Sequence, residues 1–270
     1  MKYALFTGAT GGLGGAGARA MAQEGWTVFA AGTNAKALEE LGKEQNIIPI
    51  MINITDQDSI DSAYAEIRKI TPTLDAIINF SGIHMMASLI EGDVVNDLER
   101  MLDINVMGMA RINRTFFPMV KAGNGRIINC SSECGWMKAQ PFNGPYTITK
   151  YAVEAYNDSL RRELLWQDVP VVKIQPGSFK TNMHEQAEAG FNKLLDNTQY
   201  YQKQLKRMKP MMQIELKMAN DPKHLVKALL NAVNLDKPKI NYRVKNSKLL
   251  GSLEFIPDKM IDVIYKTLLK

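Results

Sequence analysis

Short apolar runs alternate with longer amphipathic stretches along the whole sequence, and this alternation limits the possible folds more than any other feature. The runs that predict strands are residues 3–7, 27–31, 47–52, 76–80, 126–131, 169–175 and 239–243. Strands that are joined by helices usually form a parallel sheet with helices on both faces. We therefore predict an α/β protein with a doubly wound parallel sheet of about seven strands.

The bulk properties are those of one globular domain. The chain has 270 residues, of which 46% are hydrophobic, and it contains no repeat or linker, so residues 1–270 are predicted as a single domain. The net charge of +5 is small and scattered, and it does not indicate a nucleic-acid partner.

Cysteine use and the ends of the sequence predict a cytoplasmic protein. Cys130 and Cys134 lack the partners that a zinc site needs, so we expect reduced thiols and no metal. The strand pattern from residue 3 leaves no room for a signal peptide. No apolar run of 18 residues is present, so no integral membrane segment is expected.

A glycine-rich run, GATGGLG at residues 8–14, joins the first strand to a helical pattern. Glycines at such a junction allow a tight turn, and the free N–H groups of the helix can receive a pyrophosphate. A flexible turn without a ligand is the alternative, which the preceding strand and following helix disfavour. We predict contacts with a dinucleotide from Gly8, Thr10, Gly12, Leu13 and Gly14.

Tyr146 and Lys150 lie four residues apart in a predicted helix, so they share one helix face. An ammonium beside a phenol favours the ionised phenol and suits it to general acid/base work. The alternative is structural, with an aliphatic lysine stem packed across an aromatic ring.

Together these motifs resemble the short-chain dehydrogenase/reductase family. The run from Thr7 to Gly14 is similar to the family's cofactor motif, and Tyr146 with Lys150 is similar to its catalytic pair. Over residues 2–182, further landmarks follow in the family's order: Asn79-Phe80-Ser81-Gly82, Asn105, Ser131-Ser132, Pro176-Gly177 and Thr181. In the first of these, Phe80 and Ser81 depart from the family's sequence. The resemblance implies a Rossmann fold and an oxidoreductase that uses a nicotinamide cofactor.

The resemblance also implies a role for each of four catalytic residues. Tyr146 exchanges a proton with the substrate oxygen. Lys150 holds the nicotinamide ribose and, with the oxidised nicotinamide, lowers the pKa of the tyrosine. Ser132 hydrogen-bonds the substrate oxygen, with Ser131 as a weaker candidate, and Asn105 holds a water that links Lys150 to solvent.

Further cofactor contacts are implied at the ends of the other strands. They are Thr33, Asn34, Asn53, Ile54, Asn79, Ser81, Gly82, Tyr146, Lys150, Pro176, Gly177, Phe179 and Thr181. After the second strand, Gly32 replaces the acidic residue that would bind the ribose hydroxyls of NAD. Because no carboxylate repels a 2′-phosphate, and because Thr33, Asn34 and Lys36 can donate hydrogen bonds, we favour NADP over NAD.

The substrate site is expected to be large and apolar. In the family, the segment after Thr181 is a lid, here residues 182–219. Bulky residues are expected to line the site from the lid and from the loops facing it: Met183, Phe191, Leu194, Leu195, Tyr200, Tyr201, Met208, Met211 and Met212, opposite His84, Met85, Met86, Trp136, Met137 and Phe142. The stretch 146–165 is most similar to retinol and hydroxysteroid dehydrogenases, so we predict a lipophilic secondary alcohol or ketone. A reductase of small polar carbonyls or sugars and a catalytically silent nucleotide sensor remain the alternatives.

Two helices carry predictions about assembly. The family pairs the helix that begins at Tyr146, and the helix that bears Asn105, across a two-fold axis, so we predict a homodimer or homotetramer. The stretch 258–270 is a basic amphipathic helix. It is expected to pack on its own domain or on a partner subunit, with a membrane surface as the alternative.

Overall fold

The computed structural model describes residues 1–181 and 183–270, without the side chains of residues 183–186. In the described residues, the strands are β1 Lys2–Thr7, β2 Trp26–Gly32, β3 Ile47–Met51, β4 Ala76–Asn79, β5 Arg126–Cys130, β6 Val171–Pro176 and β7 Asn241–Val244. They form one parallel sheet in the order β3-β2-β1-β4-β5-β6-β7. The predicted parallel α/β fold is confirmed.

Helices connect the strands and continue beyond the last one. They are α1 Gly12–Gln23, α2 Ala35–Leu41, α3 Gln57–Ile70, α4 Val94–Leu102, α5 Met109–Ala122, α6 Gly144–Glu163, α7 Met183–Asn197, α8 Gln202–Lys217, α9 Lys223–Asn234, α10 Lys248–Ser252 and α11 Asp258–Leu268. A π-helical turn, Asp103–Gly108, joins α4 to α5, and a 3₁₀ turn, Glu133–Gly135, follows β5.

The inner strands are apolar on both faces because helices cover both sides of the sheet. Residues on one face, such as Phe6, pack against α1 and α9, whereas residues on the other face, such as Leu5, pack against α3 and α5. This arrangement places the carboxyl ends of all seven strands on one edge. The strand order reverses between β1 and β4, where open α/β sheets bind their ligands.

The predicted lid region contains α7 and α8, which pack on each other and on the loops opposite. Phe191, Leu205 and Met212 form a small core with Met86 and Phe142. Asn182, the first residue of the predicted lid, lies outside the described residues, as does the side chain of Met183.

The last helix, α11, packs on the body of the protein through Ile261 and Leu269. Among the described residues, no helix has the length and apolar character needed to cross a membrane. Cys130 and Cys134 are both free thiols.

Candidate active site

Tyr146 and Lys150 are brought together near the start of α6, as their spacing predicts. The Nζ atom of Lys150 lies 5.6 Å from the centre of the Tyr146 ring, and it donates a hydrogen bond of 3.2 Å to the carbonyl oxygen of Cys130 at the end of β5. Burial lowers the pKa of the Lys150 ammonium. The pair therefore lies at the ligand-binding edge of the sheet, tied to the strand beside it.

The protein residues alone shift the pKa of Tyr146 upwards, whereas the prediction counts Lys150 together with the oxidised nicotinamide. Burial raises the pKa of Tyr146 above its usual value, and a hydrogen bond to the Ser132 hydroxyl opposes that shift only in part. Burial penalises the phenolate more than the Ser132 hydroxyl stabilises it, and Cys134, Cys130 and Glu133 shift the pKa further upwards. The Tyr146 hydroxyl is consequently protonated at neutral pH.

Ser132 and Ser131 follow β5 but face different surroundings. The Ser132 hydroxyl is bonded to Tyr146, and its oxygen also accepts a bond of 3.2 Å from the backbone N–H of Cys134. The Ser131 hydroxyl is buried without a hydrogen-bond partner among the described residues, 2.7 Å from where a Cβ atom on Gly135 would lie. Of the two serines, Ser132 is the one placed beside Tyr146.

Asn105 lies fully buried in the π-helical turn and joins two neighbouring elements. Its Oδ1 atom accepts from the N–H of Ile83 at 2.8 Å, and its Nδ2 atom donates to the Ile83 carbonyl at 2.9 Å and to the Thr149 hydroxyl at 3.1 Å. A Cβ atom on Gly82 would lie 3.2 Å from Asn105 Oδ1 and 3.9 Å from Lys150 Nζ. Glycine at position 82 therefore leaves the space beside these two polar groups free of a side chain.

The glycine-rich turn has the geometry that a pyrophosphate needs. Gly8 has a φ of +74°, and a Cβ atom there would lie 2.5 Å from the backbone nitrogen of Ser81. A Cβ atom on Gly14 would lie 2.1 Å from the carbonyl oxygen of Gly8. Gly11 precedes α1 without a side-chain cap, so the first N–H groups of that helix, at Gly12, Leu13 and Gly14, are available to an anion.

Other predicted contacts surround this turn. A Cβ atom on Gly12 would lie 3.1 Å from Thr181 Cγ2, and one on Gly32 would lie 2.6 Å from the Thr10 hydroxyl. Thr33 and Asn34 are exposed after β2, and Asn34 Oδ1 caps α2 by accepting from Ala37 N–H. These residues fit a dinucleotide that runs from the α1 N-terminus towards the end of β2.

Three of the predicted cofactor side chains also make contacts within the protein. The Asn53 carbonyl oxygen accepts from the backbone N–H and the hydroxyl of Thr55, so it is not the open acceptor that was expected. Ile54 and Phe179 are buried in the two main cores. Pro176 and Gly177 end β6, and the Gly177 N–H donates to the Val244 carbonyl on β7.

Asn79, also a predicted cofactor contact, has a side chain that belongs to a buried chain of amides. Its Nδ2 atom donates to the Oδ1 atoms of Asn113 at 2.7 Å and Asn129 at 2.9 Å, and Asn129 donates in turn to Asn157 at 2.8 Å. The sequence analysis missed Asn113, Asn129 and Asn157. The signal was present, since each amide interrupts an apolar strand or helix, and buried polar groups need partners.

His84, predicted as a wall of the substrate site, contacts the catalytic tyrosine directly. Its ring packs edge-on against Tyr146 with 4.4 Å between ring centres, and Nε2 donates to Asn143 Oδ1 at 2.9 Å. Burial lowers the pKa of His84, so the imidazole is neutral at neutral pH. Asn143 donates in turn to the thiol of Cys134, and burial raises the pKa of that thiol to about 11. Tyr146 is therefore surrounded by uncharged polar groups on this side.

The remaining predicted walls divide into two groups. Met86 and Phe142 contact the lid helices, and the Phe142 ring lies 5.1 Å from that of Tyr201. Trp136 instead faces residues 243–255, where its Nε1 atom donates to Asn246 at 3.2 Å and its ring stacks on Arg243. With Met137, it lines a separate cavity of about 280 Å³.

Glu133, next to Ser132, is a buried carboxyl group that the sequence analysis did not single out. It accepts a hydrogen bond of 2.7 Å from the backbone N–H of Ser247, but burial outweighs this bond and raises the pKa of Glu133 to about 7. The described residues contain no group of three or more histidine, cysteine or acidic side chains that could hold a metal ion.

Comparison with known proteins identifies relatives over most of the chain. A family model described as short chain dehydrogenase matches residues 2–191. Retinol dehydrogenase 7 from Mus musculus is 32% identical over 203 residues, which cover 73% of this chain but only 63% of that protein. The chain thus spans less than two thirds of that relative's length.

Two further proteins match over nearly their full length. The NADPH-dependent 3-dehydrocapnine reductase of Ornithobacterium rhinotracheale is 31% identical in an alignment that covers 100% of this chain and 98% of that protein. The structure of a short-chain dehydrogenase from Streptomyces avermitilis superposes with a TM-score of 0.76 at 23% identity, covering 99% of this chain and 94% of that one.

Proposed function

We propose that this chain, which belongs to the short-chain dehydrogenase family, is an oxidoreductase that transfers a hydride between NADP(H) and a lipophilic secondary alcohol or ketone. The predicted resemblance to retinol dehydrogenases is confirmed by the match to the mouse enzyme. The observation that carries the proposal is the placement of Tyr146, hydrogen-bonded to Ser132 and beside Lys150, at the edge where the glycine-rich turn opens.

The residues around Tyr146 divide the work of carbonyl reduction. Tyr146 donates its proton to the carbonyl oxygen, a role that a phenol kept protonated by burial can fill. Ser132 donates a hydrogen bond to the same oxygen and stabilises the charge that develops there. Bound NADPH would supply the hydride. In the reverse direction, Tyr146 would accept the proton from the alcohol.

Lys150 and Asn105 serve the cofactor and the return of the proton. Lys150 is fixed by Cys130 and is proposed to hold the nicotinamide ribose. We propose that a water in the gap left by Gly82 connects Lys150 to Asn105 Oδ1, which accepts one protein bond and retains a second acceptor position.

NADP is proposed over NAD because no carboxylate lies at the end of β2. Gly32 stands in that place, and Thr33, Asn34 and Lys36 are exposed beside it. Asn34 uses its oxygen to cap α2, which leaves its NH₂ group to donate to a 2′-phosphate. One relative is described as NADPH-dependent, which supports the same choice.

A lipophilic substrate is proposed from the lid. The side chains of Phe191, Leu205 and Met212 pack with Met86 and Phe142 in an apolar cluster. A small polar carbonyl or a sugar would find few hydrogen-bond partners there. A silent nucleotide sensor would not need Tyr146, Ser132 and Lys150 in this arrangement.

The test follows NADPH absorbance with ketones of increasing chain length, for wild-type protein and for Tyr146→Phe. The proposal expects kcat/KM to rise with chain length, to be lost in Tyr146→Phe, and to be lower with NADH. Turnover that is fastest with small polar ketones would support the sugar or polar-carbonyl alternative. Tight NADPH binding without turnover of any ketone would support the sensor.

We propose further that the protein is cytoplasmic, in keeping with its free thiols. Exposed small residues on α6, Ala155 and Ser159, support a homodimer or homotetramer formed by close approach of this helix to a second copy.

A further inference from the structure

The net positive charge is not scattered, as the sequence analysis supposed, but belongs to residues 237–270. This segment holds eight of the 33 lysines and arginines and only three of the 28 acidic residues, so the rest of the chain is balanced with 25 of each. The whole formal charge of +5 arises in residues 237–248, which hold five lysines and arginines and no acidic residue, whereas residues 249–270, which include α11, hold three lysines and three acidic residues. Such an asymmetry is typical of proteins that meet a polyanion or an anionic surface.

Within this segment, α11 presents two apolar sides. Ile261 and Leu269 are buried against the body. Met260, Val263, Ile264 and Leu268 recur at helical spacing beside the buried side and are exposed. Phe255, three residues before the helix, is 90% exposed. Burial on its own domain, as predicted for this helix, accounts for one side only.

Lysines accompany the exposed apolar side chains. Lys259, Lys266 and Lys270 are exposed on or directly after α11. Asp258 and Asp262 are also exposed there, and Asp258 is paired with Lys138. We call the exposed residues Phe255, Met260, Val263, Ile264 and Leu268, with these three lysines, the α11 surface. Exposed aromatic and aliphatic groups flanked by lysines are the pattern of helices that lie in the plane of a membrane interface.

We propose that the α11 surface docks on an anionic lipid bilayer. A second copy of the chain is a poorer occupant, because a two-fold contact through the α11 surface would set Lys259, Lys266 and Lys270 against their own copies. Anionic lipid headgroups complement the lysines, while the acyl boundary receives Phe255 and Val263.

The α11 surface is connected to the active site by hydrogen bonds, so docking would affect where the active site lies relative to the bilayer. Residues between β7 and α11 bind the loop that follows Ser132: Ser247 N–H donates to Glu133, Asn246 accepts from Trp136, and the Ile256 carbonyl accepts from Lys138 Nζ at 3.0 Å. Docking therefore holds the catalytic loop close to the bilayer, from which a lipophilic ketone can enter. This step alone rests on the proposed function.

The test is sedimentation with vesicles of phosphatidylcholine, with and without about a third phosphatidylglycerol. The protein is expected to pellet with the anionic vesicles, weakly with neutral ones, and less as salt is raised. Lys259→Gln/Lys266→Gln should lower the partition coefficient about 30-fold, at roughly one kcal/mol per cation. The matched control is Lys69→Gln/Lys227→Gln, which removes two exposed lysines elsewhere and should leave binding nearly unchanged.

A second pair of variants tests the apolar contribution. Phe255→Ser/Val263→Ser should weaken binding at least about tenfold. Leu165→Ser/Trp166→Ser is its control, since Leu165 and Val263 are both 62% exposed. Absence of pelleting, equal binding to neutral vesicles, or equal losses in variants and controls would overturn the proposal. So would a fall in molecular mass on Phe255→Ser/Val263→Ser, since a second copy would then occupy the surface.

Vesicle binding needs neither nucleotide nor ketone. Vesicle binding without ketone turnover would therefore support the docking surface and contradict the proposed function. Ketone turnover without vesicle binding would support the proposed function and contradict the docking surface.

Discussion

The ring of His84 packs edge-on against the ring of Tyr146, with 4.4 Å between their centres, while its Nε2 atom holds Asn143 directly before α6. One side chain thus contacts both the proposed proton donor and the start of the helix that carries it. We infer that His84 is a positioning residue for Tyr146.

Replacing His84 by alanine should lower kcat about 10- to 100-fold, because removal of the ring lets Tyr146 move from its reactive position. NADPH affinity, measured by fluorescence titration, should change little. His84→Phe keeps the ring contact and should recover part of kcat. Equal loss in both variants would show that the bond to Asn143, rather than ring packing, is what matters.

Glu133 makes stability depend on pH in a direction that is unusual for a carboxyl group. Its pKa rises from 4.5 to about 7 on folding. The folded protein therefore holds a proton that the unfolded chain releases between these values, and stability falls as pH rises from 4.5 to about 7. Thermal unfolding of wild type and Glu133→Gln should reveal this fall, about 2–3 kcal/mol, only in wild type.

Glu39→Gln, at an exposed position of α2, is the control for that experiment. Parallel stability curves for wild type and Glu133→Gln across this pH range would contradict the assigned burial of Glu133.

Asn79→Ala should separate a structural role from a role in cofactor binding. The substitution removes the partner of the Oδ1 atoms of Asn113 and Asn129 inside the sheet, and should lower the free energy of unfolding by about 2–4 kcal/mol. NADPH affinity of the folded variant should stay close to that of wild type. Asn231→Ala, at an exposed site on α9, controls for the loss of an amide. A large loss of affinity with unchanged stability would support the cofactor assignment of Asn79.

The predicted assembly is tested by light scattering at micromolar concentration. A homodimer or homotetramer has two or four times the chain mass of 30.2 kDa. Ala155→Glu places a charge on the exposed side of α6 and should release monomers, whereas Lys69→Glu should not. A wild-type mass of 30.2 kDa would contradict the prediction.

The sheet could be predicted because its inner strands are buried on both faces and read as continuous apolar runs. β6 and β7 start two residues later than predicted, at Val171 and Asn241, since the end of a strand depends on its pairing and not on its own sequence. The glycine-rich turn and the pair Tyr146 and Lys150 were predictable because their spacing is local.

What could not be predicted depends on contacts between distant segments. Glu133 accepts a hydrogen bond from Ser247, which is distant in sequence. Trp136 contacts Arg243 and Asn246 rather than the lid. The raised pKa of Tyr146 was missed for a related reason, since the spacing to Lys150 carries no information about burial.

The most direct test of the account is steady-state kinetics of Tyr146→Phe on an accepted ketone, with NADPH affinity measured on the same samples. The substitution keeps the ring and its contact with His84 and removes only the proton donor, so kcat should fall by at least about 10²–10⁴-fold while NADPH affinity is nearly retained. Lys150→Ala should instead weaken both. If Tyr146→Phe keeps more than about a tenth of wild-type kcat while chemistry limits the rate, Tyr146 is not the acid and the account of this site is wrong.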